Sequence, residues 1–167
     1  MRLLNLFGQS KDPKKLAAKA QQSKDPQKAV SLYTDAIQYA QAAENPDSGL
    51  LSDLYLLRGE VYMGQGVALL SSSDFLHALE YNPENGIAHN DLGVWFMMEQ
   101  FAAPDHARAQ EHFNKAVEYC PDRRDFRMNR AIATYKLGQK DQGLAELEQL
   151  YQEGFADAKN AMDLFCT

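Results

Sequence analysis

The chain has 167 residues, 45% of them hydrophobic and 24% charged, and a formal net charge of -6 at pH 7, which suits one compact domain around a continuous core. The negative balance excludes a general nucleic-acid binder, which needs a concentrated basic face, and the cluster Arg123, Arg124, Arg127 and Arg130 reads as an ordinary helix surface. Cys120 and Cys166 lie far apart without a Cys-x-x-Cys pair, and no stretch approaches the roughly 18 apolar residues of a membrane span, so no disulfide framework, zinc site or transmembrane helix is expected and a cytoplasmic location fits best.

Residues 1–9 form an N-terminal apolar segment in which Leu3, Leu4, Leu6 and Phe7 crowd together. The segment lacks the full apolar run and small-residue cleavage site of a signal peptide. It is expected to dock weakly on an apolar surface, the alternative being a frayed terminus; with Lys11, Lys14 and Lys15 behind it, a membrane-peripheral role is a minor reading.

Residues 10–157 divide into four repeating units that begin near Ser10, Ser52, Gly86 and Arg124. In the first, Ala17, Ala29, Tyr33 and Ala36 match slots of the second at a constant offset of 42, so extra residues separate the two. In the second unit Tyr55, Gly59, Tyr62 and Gly66 precede Phe75, Ala78 and Pro83; in the third His89, Gly93 and Phe96 precede Phe113, Ala116 and Pro121. The offset is 34 from Gly59 to Gly93 but 38 from Phe75 to Phe113, which places an insertion at Phe101 to Pro104; Phe101 is expected to be tucked under its loop, the alternative being that it is available to a partner. The fourth unit supplies Ala131, Gly138, Gly143 and Leu147. Small residues let two helices approach within about 8 to 10 Å, aromatics fill the space left, and Pro83 and Pro121 stop the second helices. Phe155 to Thr167 reads as a last helix, with Ala158, Ala161, Met162 and Phe165 on one side; residues 158–167 are expected to cap the array, since so short a helix is marginal alone.

The stretch from Asn82 through Pro83, Gly86 and His89 to Gly93 resembles the inter-repeat turn and helix start of the tetratricopeptide-repeat (TPR) family, and the resemblance covers about residues 10 to 157. It implies an all-α fold, a right-handed superhelical solenoid of antiparallel helix pairs with a C-terminal capping helix. Arg58 and Arg130 stand where the family most often has Leu, and Pro13 where a bulky aromatic is usual, which shortens the first helix.

No phosphate loop, Gly-x-Ser-x-Gly elbow or His-Glu-x-x-His helix is present, and His106 and His112, six apart, do not share a helix face, so no enzyme activity, metal or cofactor is expected. The resemblance implies instead a protein or peptide partner in the concave groove. The implied groove residues are Leu56, Glu60 and Met63 in the second unit, Ile87, Asn90, Val94, Met97 and Met98 in the third, and Met128, Ile132 and Tyr135 in the fourth. Asp53, Gly64, Asp125 and Lys136 share the same family positions. The carboxylate clamp of the chaperone-docking branch is missing, whether units one to three (Ala18, Leu57, Ile87, Asp91) or two to four (Leu56, Glu60, Asp91, Asp125) are taken. The implied function is thus an interaction module for an apolar or amphipathic peptide or helix; the alternative is a small chaperone of the secretion type that holds a client in the same groove.

Overall fold

The computed structural model describes residues 12–99 and 103–165, so the apolar segment 1–9, Phe101 and Cys166 lie outside the described residues. Among those described there are helices and no strand: α1 (Pro13–Gln21), α2 (Pro26–Gln41), α3 (Ser48–Gly64), α4 (Ala68–Tyr81), α5 (Gly86–Met97), α6 (His106–Tyr119), α7 (Arg124–Lys136), α8 (Lys140–Gln152) and α9 (Asp157–Asp163). The side chains of Asp12, Asp25, Asp47, Asn85 and Asp105 each accept a backbone N–H at a helix start, which satisfies donors the helix leaves open. Gly138 (φ 92) and Gly154 (φ 86) carry the left-handed turns that end α7 and α8. No helix among the described residues is long and apolar enough to cross a membrane.

The chain forms two compact units that divide between Pro83 and Glu84. In the first, α1 packs on α2, α2 on α3, and α3 on α4. Its core is built from Leu16, Ala29, Tyr33, Ala36, Leu51, Leu54, Phe75 and Ala78, all buried. The close contact expected at Gly59 is present: a Cβ there would lie 2.7 Å from Cε1 of Phe75, whose ring is fully buried. Ser52 donates its hydroxyl to the Ala78 carbonyl at 2.9 Å, and Gln41, at the end of a long α2, reaches the hydroxyls of Tyr55 (3.1 Å) and Tyr81 (3.2 Å). The residues added between the first two units extend α2 to Gln41 and start α3 at Ser48, one turn earlier than the repeat frame places it, because Asp47 caps the helix there.

In the second unit α5 packs on α6, α6 on α7, α7 on α8, and α8 on α9. A Cβ at Gly93 would lie 2.6 Å from Cε1 of Phe113, so the Gly59–Phe75 arrangement recurs inside this unit as the repeat predicts. Asp105 N–H donates to the Phe96 carbonyl at 2.9 Å and ties the long turn between α5 and α6 together. The last helix is shorter than the expected Phe155 to Thr167. Gly154 breaks the chain after α8, Phe155 N–H turns back to the Leu150 carbonyl, and α9 begins only at Asp157. It still buries Ala158 and Ala161 against Ala131, Leu147 and Leu150.

Candidate functional site

Within the first unit, α1, α2 and α3 enclose a groove of about 450 Å³. Ala20 and Gln21 come from the end of α1, Ala29 and Tyr33 from α2, and Leu57, Glu60, Val61 and Gly64 from α3. On a helix, positions 57, 60, 61 and 64 form one stripe, so a single face of α3 makes a wall of the groove. Nothing lies within 4 Å of a Cβ built on Gly64, so the missing side chain helps to keep the groove open. Among the described residues of this lining Glu60 is the charged one. Burial first, and then the Glu60 charge, hold the Tyr33 phenol above its usual value.

The structure divides the sequence-predicted groove residues. Glu60 lines the groove of the first unit, whereas Leu56 is only 5% exposed and belongs to the core, and half-buried Met63 is outside the lining. The groove thus runs along the stripe at 57, 60, 61 and 64 of α3, beside the expected stripe at 56, 60 and 63. In the second unit Ile87 is exposed, but Asn90, 8% exposed, is buried: Asn129 donates to its Oδ1 at 2.9 Å, and its own amide donates to Asp91 Oδ1 at 3.1 Å. Val94 and Met97 are half-buried against Ala109, Phe113 and Ala133. Met98 lines a smaller hollow of about 220 Å³ with Trp95, Phe96, Ala103, Asp105 and Arg108. Met128 and Ile132 pack on the cluster that α9 completes, and Tyr135 stacks on Phe165 with ring centroids 3.9 Å apart.

Three polar arrangements lie outside the contacts singled out from the sequence. Arg58 donates twice to Asp74, from Nε to Oδ2 and from Nη2 to Oδ1, each at 2.7 Å, and once to Thr34. Arg130 makes the matching pair with Glu146. In both units the acid stands 16 residues after the arginine, as Phe75 does after Gly59, so the spacing was a usable signal. The residue in the same slot between them is His112, where Leu92 replaces the arginine; Nδ1 of His112 instead sits 3.0 Å from Nδ1 of His89, one ring supplying the proton that the other accepts. Burial, His89 and Lys115 lower His112 to about 4. The third arrangement is the Asn129, Asn90 and Asp91 chain, which links α7 to α5. These contacts hold helices together. Among the described residues no three His, Cys, Asp or Glu side chains group as a metal site would need.

The sequence matches no family model, and no curated protein is similar enough to pair with it. Solved structures do match. BtubC (BKLC) from P. vanneervenii aligns at 23% identity over 83% of this chain with a TM-score of 0.67; the match spans 59% of the BtubC chain. YrrB, described as a TPR protein with an unusual peptide-binding site, aligns at 21% identity over 85% of this chain and 68% of its own, with a TM-score of 0.66. The chain has the tetratricopeptide-repeat fold. MamA adds a third TPR-like match, at 15% identity over 88% of this chain and 81% of its own, with a TM-score of 0.67. The TPR frame also accounts for the Gly59–Phe75 and Gly93–Phe113 contacts, which place a small residue of the first helix on an aromatic of the second in each pair.

Proposed function

We propose that this protein works by binding rather than catalysis, and that the groove of its first unit receives an apolar or amphipathic segment of a partner protein. The observation that carries this reading is the groove itself. Its volume of about 450 Å³ falls within the roughly 300 to 1,000 Å³ usual for ligand sites. Its wall combines aliphatic Leu57 and Val61 with the open place at Gly64, and polar groups from Gln21, Ser23, Tyr33, Glu60 and Gln65 border it. The TPR fold supports the reading, and so does the peptide-binding site described for YrrB. In the second unit, exposed Ile87 and half-buried Met98 retain surface for contact, whereas Asn90 is committed to internal bonding.

Gly64→Phe tests the proposal. The new ring projects into the groove and meets no atom near its Cβ, so the fold should hold. Tagged native chain and the variant are used side by side to purify partners from the source cell. A partner held by the native chain and lost by the variant, with both melting alike, is the expected result. Equal recovery of every partner by the two would exclude this groove as the binding site.

A further inference from the structure

We infer that the exposed face of α4 is a self-association surface, on which α4 of a second copy of this chain lies antiparallel, with Leu69 of each copy on Leu76 of the other. No described residue of the groove lining belongs to α4, so this surface is separate from the groove.

α4 turns Ser71, Asp74, Phe75 and Ala78 into its unit, where they are buried. On the opposite side Leu69 is 81% exposed and Leu76 53%, with Leu70, 47% exposed, on the flank. The packing of a repeat does not require leucines there. The second helices of the other units follow the same frame, with Tyr33, Phe113 and Leu147 in the place of Phe75. Where α4 has Leu69 and Leu76, they carry Gln27 and Thr34, Ala107 and Asn114, and Asp141 and Glu148. Two large apolar residues at positions that the frame leaves free to be polar mark a contact surface.

Two features commit this surface to a second copy. The first is symmetry. The stripe Leu69, Ser72, Ser73, Leu76 reads the same in both directions about the Ser72–Ser73 bond, and a two-fold interface requires a patch that complements itself. In an antiparallel pair centred on that bond each Leu69 meets Leu76 of the other copy, while the small serines at the middle let the helices approach. Ser72 already donates its hydroxyl to the Leu69 carbonyl at 3.3 Å, so this donor is answered inside its own helix when water leaves. The second feature is charge. Asp74 is the only Asp, Glu, Lys or Arg between Glu60 and Glu80, and it is buried and paired with Arg58. The two Glu80 positions would stand about 22 Å apart along the helix axes, well beyond the screening length of about 8 Å at physiological salt. A chain with a net charge of -6 can thus bring two copies of this face together without opposing like charges. One pair of short helices covers less than the roughly 1,200 Å² of a stable interface, so the dimer should be weak, with a Kd on the order of 100 μM.

Sedimentation equilibrium of the full chain at concentrations below and above that value tests the pairing. The native chain should pass from monomer to dimer. Leu76→Glu should weaken the dimer about ten-fold or more, because a charge would then be buried on leucine. The fold should hold, since Glu148 occupies the same slot in α8, and equal melting of the dilute chains checks this. Adding Leu69→Lys to Leu76→Glu sets opposite charges across the pair and should regain about three-fold of the loss. The register has its own readout. Under mild oxidation Ser72→Cys should cross-link two copies, because the two positions are offset by only about 1.5 Å along the axes. Leu69→Cys, offset by about 10 Å, should cross-link no more than the native chain with its own Cys120 and Cys166. A dimer that Leu76→Glu leaves unchanged, or cross-linking through Leu69→Cys as readily as through Ser72→Cys, would overturn the inference. So would a native chain that stays monomeric throughout, which would leave these leucines to a partner of another kind.

Discussion

Burial drives the Asp91 carboxyl up to about 6, although Asn90 donates to it and Arg123 lies near enough to favour its charge. The protonated form therefore suits the fold. Its contribution to stability is complete below the unperturbed value of 3.8 and is lost as pH rises through about 6, a cost of about 3 kcal/mol at neutral pH. His112 acts in the opposite sense. Its neutral ring is favoured, so its contribution is complete above 6.5 and is lost as pH falls through about 4; solvent screening of this half-buried ring limits it to roughly 1 to 2 kcal/mol. The two side chains share one unit and nearly one pH window, and together they flatten a dependence that each alone would impose. Asp91→Asn separates them, because it keeps the acceptor for the Asn90 amide and removes the charge. The variant should match the native chain near pH 4 and exceed it by up to about 3 kcal/mol at pH 7. Urea unfolding at both values checks this, and a difference that does not grow with pH would show that Asp91 ionises freely.

Within α3, two glycines five positions apart do opposite things. Gly59 holds α3 against α4: an added Cβ meets Phe75 Cε1 at 2.7 Å and Asp74 Cβ at 3.2 Å, and the fully buried ring has nowhere to go. Gly64 faces open space. Gly59→Ala should therefore cost about 1 to 3 kcal/mol through overpacking, while Gly64→Ala should stabilise by about 0.5 to 1 kcal/mol through helix propensity alone. Gly93→Leu repeats the first case against Phe113 and should lower the melting temperature sharply. Equal effects of the Gly59 and Gly64 substitutions in thermal melts would contradict the packing frame. Gly59, Gly93 and their aromatics were legible in the sequence because close packing restricts residue type at both partners, and the restriction recurs. That α3 faces Leu57 rather than Leu56 to the groove was not. An apolar residue on either side of a stripe boundary satisfies the same pattern, and only the packed neighbours fix the angle.

At the scale of the chain, the same gap explains why Met128, Ile132 and Tyr135 read as a free face. Repeat positions carried to the last unit say which residues point outward from a helix pair, but not that a further helix lies beside them. Phe155 to Thr167 was legible as an apolar terminal element; that Phe165 stacks on Tyr135 was not, since nothing in local periodicity links residues 30 apart. The consequence is a test of the cap. Ala158 and Ala161 are buried, and Phe155, Met162 and Phe165 are partly buried, against the cluster of Ala131, Leu147 and Leu150. Ending the chain at Gly154 removes these five side chains and uncovers the cluster at the end of the unit. Their partial burial amounts to roughly 2 to 4 kcal/mol, and the terminal pair of a repeat array has no other neighbour on that side to replace it. The shortened chain should melt several degrees lower, bind a hydrophobic dye and self-associate as concentration rises. Phe165→Ala alone should weaken the cap without removing it and give an intermediate melting temperature. A shortened chain that melts with the native one and associates no more than it does would mean that α9 lies on the surface without closing the core.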